Sequence, residues 1–505
     1  MKKALLFLQV SILSSVLFAD KENYDGQDVS GKNFSNCQLV ESSWDGATAI
    51  GTNFSSSNLT KAYFNNANLT SANFANAFIT STYFWNATIT GADFSNTNLK
   101  ENQIKYTKSY LDKDLRGINF SNNSLVDWDF SNQNLSSSNF TAAKLNSANF
   151  ANANLSSANF SNANFTYADL SNANFSNAII KGANFFSTVS YGFTETQLKS
   201  TKSYNEKDLG GISLDSNDLS GWHFEGQNLN SASFGSTIAD GTNFINATLT
   251  SANFKKASLK NANFNNATLK GANMQKADLT NAILGNADLS NVDLRGATLT
   301  DADSATAIYK NTIMADGTIK NFSMTSSEDN LLISLYDDID GEPVSAKISE
   351  DDARISGGAN LTLAKNSMLD ITNGKILTVA SDGTIQINQT LTESTKFKVD
   401  GNAEMIFEVG ATLAVNISGD MEDDVYKIAI ISFEDDSRIV GLSDLVCGET
   451  LFLTVNGETY KGLWDYELKN DGLYVLINIP EPATYAIIFG LLALGFAVRG
   501  NLKRK

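Results

Sequence analysis

Residues 148–165 read ANFANANLSSANFSNANF, with Phe150, Leu155, Phe160 and Phe165 at every fifth position. A helix repeats near 3.6 residues and a strand alternates with period two, so neither alone explains this spacing. Take the apolar centre as position i. Position i−2 is usually Ala or another small residue, as at Ala148, Ala153 and Ala158, and position i−1 is usually Asn or Asp. Positions i+1 and i+2 are Ser, Thr, Asn, Lys or Gly. Centres run from Val29 through Phe34, Leu39 and Phe54 to Leu99, resume from Leu115 to Phe185, and resume again from Leu209 to Leu299. In a short extended segment i−2 and i share one face while i−1 points the other way. Two polar residues then suffice to turn a corner. Each repeat becomes one side of a coil, with Ala and Phe or Leu inward and Asn outward. Stacked coils would lie about 4.8 Å apart with their backbone groups paired.

This pattern resembles the pentapeptide-repeat family, A(D/N)LXX, over about Val29 to Leu299. The resemblance implies a right-handed, four-sided β-helix with four repeats per coil. The expected fold class is therefore all-β: a quadrilateral solenoid over 29–304, then a second β-solenoid or β-hairpin module over 311–479. The Asn positions read as a surface ladder of polar side chains between coils. The many Asn-x-Ser/Thr triplets, such as Asn33-Phe34-Ser35, are by-products of the repeat and imply no glycan.

Two breaks interrupt the register, with insertions expected near 104–114 and 188–208. The stretch QIKYTKSYLDKDLRGINF (103–120) aligns with QLKSTKSYNEKDLGGISL (197–214), and the match continues through Trp128/Trp222 and Phe130/Phe224. A larger unit has been duplicated. Thr194-Glu195-Thr196-Gln197 has a capping-box pattern and predicts a short helix. Lys100 replaces the capping Thr in the first break. Trp128 and Trp222 fall at i−2, where they read as filling space beside the insertions rather than as a carbohydrate-stacking pair. His223 falls at i−1, facing outward, with no orienting base nearby in sequence. Cys37 sits at an inward position and reads as a buried apolar residue. Cys447 lies in the other module, so two free thiols are expected.

One histidine and two cysteines exclude a Cys/His zinc cluster. No metal, cofactor or catalytic residue is assigned. Residues 21–310 hold 20 Lys and Arg against 24 Asp and Glu, whereas 311–479 hold 11 against 29. The acidity thus belongs to the second module, and nucleic acid is not an expected partner. That module contains β-like runs separated by Gly turns at Asn373-Gly374, Asp382-Gly383 and Asn456-Gly457. Residues 355–417 read as rungs of a larger solenoid, and 426–479 as antiparallel hairpins that finish it. The acidic clusters at 337–340 and 422–424 lack EF-hand spacing and read as solvated turns.

Both ends read as addresses. Lys2 and Lys3 precede an apolar run from Ala4 to Phe18, a signal-peptide pattern over 1–19 with cleavage at Ala19. Near the other end, Pro480-Glu481-Pro482 is followed by an apolar span over 483–498 and by Arg499, Lys503, Arg504 and Lys505. As a helix this span would measure roughly 24 Å, slightly short of a bilayer core of about 30 Å. The basic residues suit a cytoplasmic stop. The segment 480–505 resembles the PEP-CTERM sorting domain of exopolysaccharide-producing Gram-negative bacteria. That resemblance implies recognition near the tripeptide by an exosortase, a membrane protease-transpeptidase, followed by release or transfer to the cell surface or matrix.

The reading that follows is an exported, non-enzymatic surface or matrix protein. Its partners would be signal peptidase, an exosortase-type enzyme, the membrane and extracellular polysaccharide. Two other classes stand beside it. Some pentapeptide-repeat proteins imitate DNA and bind gyrase, which calls for a strongly anionic rod in the cytoplasm. A polysaccharide-acting β-helix enzyme would need a catalytic constellation beyond the scattered carboxylates of 311–479.

Overall fold

The computed structural model describes residues 22–334, 336, 345–349, 351–364, 367–372, 375–379 and 384–386, together with the strand backbone beyond them up to residue 478. The chain divides into two compact units, Met1–Ile238 and Ala239–Lys505.

In the first unit, parallel bridges join residues 20 apart, from Asn23↔Ser43 and Asn33↔Asn53 onward. Twenty residues is four five-residue repeats, so each coil has four sides. The backbone accounts for nearly all of its own donors. Using Phe54 as the centre, the Asn53 N–H donates to Lys32 O of the coil before (2.9 Å) and the Phe54 N–H to Asn73 O of the coil after (2.7 Å). The Ser56 N–H donates to Ala75 O (2.8 Å), and the Ser57 N–H closes the corner on Phe54 O (3.2 Å). That leaves the N–H at i+1. Asn53 Oδ1 accepts it from Ser55 at 3.0 Å. Asn at i−1 is therefore a corner cap as well as a rung of the surface ladder, where Asn53 Nδ2 donates to Asn33 Oδ1 at 2.9 Å. A buried N–H without a partner would cost as much as a lost hydrogen bond.

Within the uninterrupted coils position i+2 is left-handed, with φ of 57° at Ser56, 59° at Asn66 and 59° at Asn152. A turn closed by an i-to-i+3 bond with positive φ at its third residue is type II, which favours Gly and Asn. The sequence meets this demand mostly with Asn, Ser, Lys and Gly, though Ala142 and Tyr167 adopt the same conformation. The inward column is apolar. Phe74 stacks on Phe54 and on Phe94 (both 5.1 Å between centroids) and meets Phe64 edge-on at 5.6 Å. Phe alternates with Leu or Ile along the chain, so two Phe columns occupy two sides and aliphatics the other two. At Phe160 and Phe165 consecutive repeats both carry Phe, their rings 4.8 Å apart, and the columns change sides. Inward hydroxyls at i−2 find turn carbonyls, as Thr82 Oγ1 does at Leu59 O (2.7 Å).

The coils begin one repeat before Val29, with Tyr24 as a centre stacked on the fully buried Trp44 (4.0 Å). Cys37 departs from expectation. It is only half-buried, with Sγ 3.6 Å from Ser35 O. It belongs to the first full coil, where Phe34 is also incompletely covered. Burial and then Glu22 still push its thiol pKa up.

Each break builds short helices. The first holds α1 (Glu101–Lys105) and α2 (Lys108–Leu111); the second holds a 3₁₀ turn (Val189–Tyr191), α3 (Glu195–Ser200) and α4 (Lys202–Asn205). Coil spacing rises from 20 to 26 residues at Asp93↔Asn119 and to 29 at Asn184↔Ser213.

The second unit starts with the same 20-residue ladder, from Asn243↔Asn263 to Asp293↔Ile313. Then β1 (Thr312–Ile313) pairs antiparallel with β2 (Ile319–Lys320). From there a three-sided parallel solenoid rises. Its first rung is β3 (Asn330–Ile333), β4 (Ala346–Ile348) and β5 (Ala353–Ile355). The second is β6 (Asn360–Leu363), β7 (Met368–Ile371) and β8 (Ile376–Val379). The third is β9 (Thr384–Thr390), β10 (Lys396–Val399) and β11 (Glu404–Phe407). The fourth is β12 (Thr412–Ser418), β13 (Val425–Phe433) and β14 (Arg438–Val440). Then β15 (Leu451–Val455) adds to the β12 stack. Rungs therefore begin before residue 355. They also continue past 426, where antiparallel hairpins were expected. Alternation of apolar residues fixes which face is buried but not the direction of the neighbouring strand. After the β1–β2 pair, antiparallel pairing returns only with the last three described strands. β16 (Glu458–Tyr460) pairs with β15, while β17 (Trp464–Lys469) pairs with β18 (Gly472–Asn478), which pairs with β13.

Candidate functional site

The two helical breaks are built on one frame. In α1, Gln103 turns inward. Its Nε2 donates to Ile79 O (2.8 Å) and Thr82 O (3.0 Å), and its Oε1 accepts from the Lys100 N–H (2.9 Å). In α3, Gln197 Nε2 donates to Leu170 O (2.7 Å) and Ala173 O (2.9 Å), and Oε1 accepts from the Thr194 N–H (2.7 Å). Thr194 completes its capping box by accepting the Gln197 N–H (3.3 Å). Lys100 has no side-chain acceptor, so at α1 the Gln half of the pair holds the start alone. Thr107 and Thr201 accept the Tyr110 and Tyr204 N–H groups and cap α2 and α4. The coil below receives each insertion alike: the Asn86 N–H donates to Tyr106 O (2.8 Å) and the Asn177 N–H to Ser200 O (2.9 Å).

Carboxylates pin both frames from above. Glu101 Oε1 accepts the Asp129 N–H (3.0 Å) and Glu195 Oε1 accepts the His223 N–H (2.8 Å). Glu195 also lies 3.0 Å from His223 Nδ1 and 2.7 Å from Lys199 Nζ. His223 thus has a carboxylate partner that sequence proximity concealed. Burial alone would raise the Glu195 pKa, but hydrogen bonds from Lys199 and His223 outweigh it and hold the carboxyl below its ordinary value. Tyr110 donates its hydroxyl to Asp129 O (2.7 Å), and burial, reinforced by Asp129 and Glu101, pushes its pKa up to about 12. These contacts fasten helices to coils.

The frames differ in what surrounds them. Beside α1 lies an open groove of about 440 Å³, lined in part by Ser81, Tyr83, Trp85, Lys100, Asn102 and Tyr106. Trp85 and Tyr106 are each 58% exposed and Tyr83 49%. Tyr83 stacks on Tyr63 of the coil before, 5.0 Å between centroids and 6° from parallel. Trp128 and Trp222 are instead 7% and 8% exposed. Trp128 packs on Phe120 and Phe130, Trp222 on Phe193 and Phe224. The exposed Trp85 was not singled out in the sequence, because i+1 reads as a corner. Three consecutive aromatics, Tyr83-Phe84-Trp85, were the available signal.

The family model for pentapeptide repeats matches in eight copies, over residues 33–70, 67–101, 114–152, 153–188, 228–266 and 272–303. The chain carries pentapeptide repeats. Solved structures similar to it include HetL, a pentapeptide-repeat protein involved in heterocyst differentiation regulation from the cyanobacterium Nostoc: 23% identity over 63% of this chain and 99% of that one, TM-score 0.15. Full-length QnrB1, a plasmid-mediated fluoroquinolone resistance protein, shares 13% identity over 59% of this chain and 84% of its own, TM-score 0.15. A pentapeptide-repeat protein of the Arabidopsis thaliana thylakoid lumen shares 19% over 31% and 71%, TM-score 0.10. No curated protein matches the chain.

The pentapeptide-repeat coils hold none of the residues assigned to sorting. Ala19, Pro480, Glu481, Pro482, Arg499, Lys503, Arg504 and Lys505 lie outside the described residues, as do the span 483–498, Cys447 and the acidic clusters 337–340 and 422–424. Among the described residues, no helix is long and apolar enough to cross a membrane, and no group of three or more His, Cys, Asp or Glu side chains could hold a metal ion.

Proposed function

We propose that this chain is an exported, non-enzymatic scaffold of the cell surface or extracellular matrix, a spacer and interaction surface delivered through its 480–505 segment. The observation that carries the scaffold half is the donor accounting of the coils. Wherever Asn or Asp stands at i−1, the repeat consumes its own backbone N–H groups, through adjacent coils, the corner and that side chain. Such a surface is stiff and chemically quiet, and its contribution is the array of side chains it displays. A repeated array favours many weak contacts to a polymer over one strong contact to a small molecule. The address half follows from the lysine-led apolar start and the Pro-Glu-Pro, apolar span and basic end. The near-neutral charge of residues 21–310 disfavours a DNA-mimicking rod.

Fractionation of cells expressing the wild type and a Pro480→Ala/Glu481→Ala/Pro482→Ala variant tests this. The expected result is surface or medium location of the wild type, with altered processing and membrane retention of the variant. A cytoplasmic wild type would refute export. Identical mass and location in both proteins would reduce the tail to a plain anchor.

A further inference from the structure

We propose that the groove beside α1 is a saccharide-binding site whose occupant is a hexopyranose polymer. This deepens the scaffold reading and rests on it for the polymer being extracellular.

The duplication supplies an internal control. Gln103 and Gln197 correspond, and the carbonyls they bind, Ile79 and Thr82 against Leu170 and Ala173, fix which coil residues correspond below. By that register Tyr83 matches Asn174, Trp85 matches Ser176 and Tyr63 matches Asn154. By the helix register Tyr106 matches Ser200. In the second frame Asn174 Nδ2 donates to Asn154 Oδ1 (3.2 Å), the ordinary ladder bond. In the first frame the Tyr63–Tyr83 stack takes its place. One frame thus folds with Asn and Ser where the other carries four aromatic rings. The fold does not require those rings, and a folded chain gains little from large apolar side chains left in water.

Their convergence indicates the ligand. Tyr83, Trp85 and Tyr106 line one groove together with a hydroxyl (Ser81), an ammonium (Lys100) and an amide (Asn102). A pyranose ring is the complement of that mixture. Its C–H face covers an aromatic ring, and its rim of hydroxyls exchanges hydrogen bonds with hydroxyl, amide and ammonium groups. The volume of about 440 Å³ is that of a small-molecule site. Tyr63 continues the aromatic surface one coil further, which suits a chain of sugars better than a single one. Nucleobases also stack on aromatics, but single-strand sites need a positively charged groove, and Lys100 is the one cation among the groove-lining residues.

The test uses the purified full chain in affinity gels containing galactomannan, laminarin, dextran or alginate, with iodide quenching of tryptophan fluorescence as a second readout. The variants are Trp85→Ser and Tyr106→Ser, which install what the second frame already tolerates, and a Tyr191→Ser control away from the groove. Circular dichroism melting confirms that each folds. The expected result is retardation of the wild type by at least one polymer and protection from iodide of the part of its fluorescence that Trp85→Ser removes. Affinity should fall about tenfold in Trp85→Ser, as for loss of one aromatic contact, and stay unchanged in Tyr191→Ser. Retardation that survives both groove variants would overturn the site while leaving the scaffold reading in place. A wild type that none of the four polymers retards would also overturn the site, whatever location fractionation gives.

Discussion

Asp293 grips Arg295 inside the second unit, with Nη2–Oδ2 at 2.6 Å and Nε–Oδ1 at 2.9 Å. The arginine is 1% exposed and the aspartate 6%. Gln275 Nε2 donates to the same carboxylate (2.7 Å), and Arg295 Nη2 reaches Ser334 O just past β3 (2.7 Å). This cluster fastens the last five-residue repeats to the first rung of the three-sided solenoid.

Breaking a buried pair strands the remaining charge and costs about 3–5 kcal/mol, whereas replacing both partners by apolar groups costs far less. Asp293→Ala should therefore destabilise the second unit more than Asp293→Ala/Arg295→Met. Urea denaturation of both variants measures this, and equal losses would show that the charge is not the issue.

The docking of α3 should be acid-sensitive. The folded pKa of Glu195 is depressed, so its contribution is complete above the unfolded value and is lost as pH falls through the folded one. Protection of the His223 amide from hydrogen exchange should decline once pH drops below the ordinary glutamate value of 4.5. Glu195→Gln should flatten that profile. An unchanged profile in the variant would assign the acid response to another carboxylate.

Asn149 Oδ1 accepts the Ala151 N–H at 3.0 Å. Asn149→Leu should cost about 0.5–1.5 kcal/mol by removing the acceptor from a half-exposed donor, while Asn149→Asp keeps the acceptor and should stay close to wild type. Exchange at the Ala151 amide discriminates the two. Equal protection in both would mean that water replaces the side chain freely.

Phe74 lies between Phe54 and Phe94 in a stacked column. Phe74→Ala should cost about 3–5 kcal/mol. Phe74→Leu should cost much less, since Leu69 already fills the equivalent place one repeat earlier. In a solenoid the damage is local, so limited proteolysis should cut near this coil first.

The five-residue period made the coils legible, because inward size and outward polarity are imposed at every repeat. Phe150 and Ala148 could be placed inside from spacing alone. The second role of Asn149 was hidden, since a side-chain bond to a neighbouring N–H leaves no periodic trace beyond the Asn itself. The aromatic groove was missed for a geometric reason. The helices of the two breaks are 94 residues apart, but the coils beneath them are 91 apart, because the insertions differ in length by three residues. An alignment held at 94 never sets Trp85 against Ser176. The parallel course of β13 was illegible for another reason: strand direction depends on what the chain does between strands.

The shift of phenylalanine from one column to the next at Phe160 and Phe165 has an evolutionary consequence. Losing or gaining a single repeat turns every later side by a quarter revolution, and the core absorbs it because aromatic and aliphatic plugs interchange there. Recombination between near-identical repeats can therefore lengthen or trim such a chain in small steps without redesigning its interior. Side chains displayed on one face, Trp85 among them, would then be re-aimed relative to everything downstream.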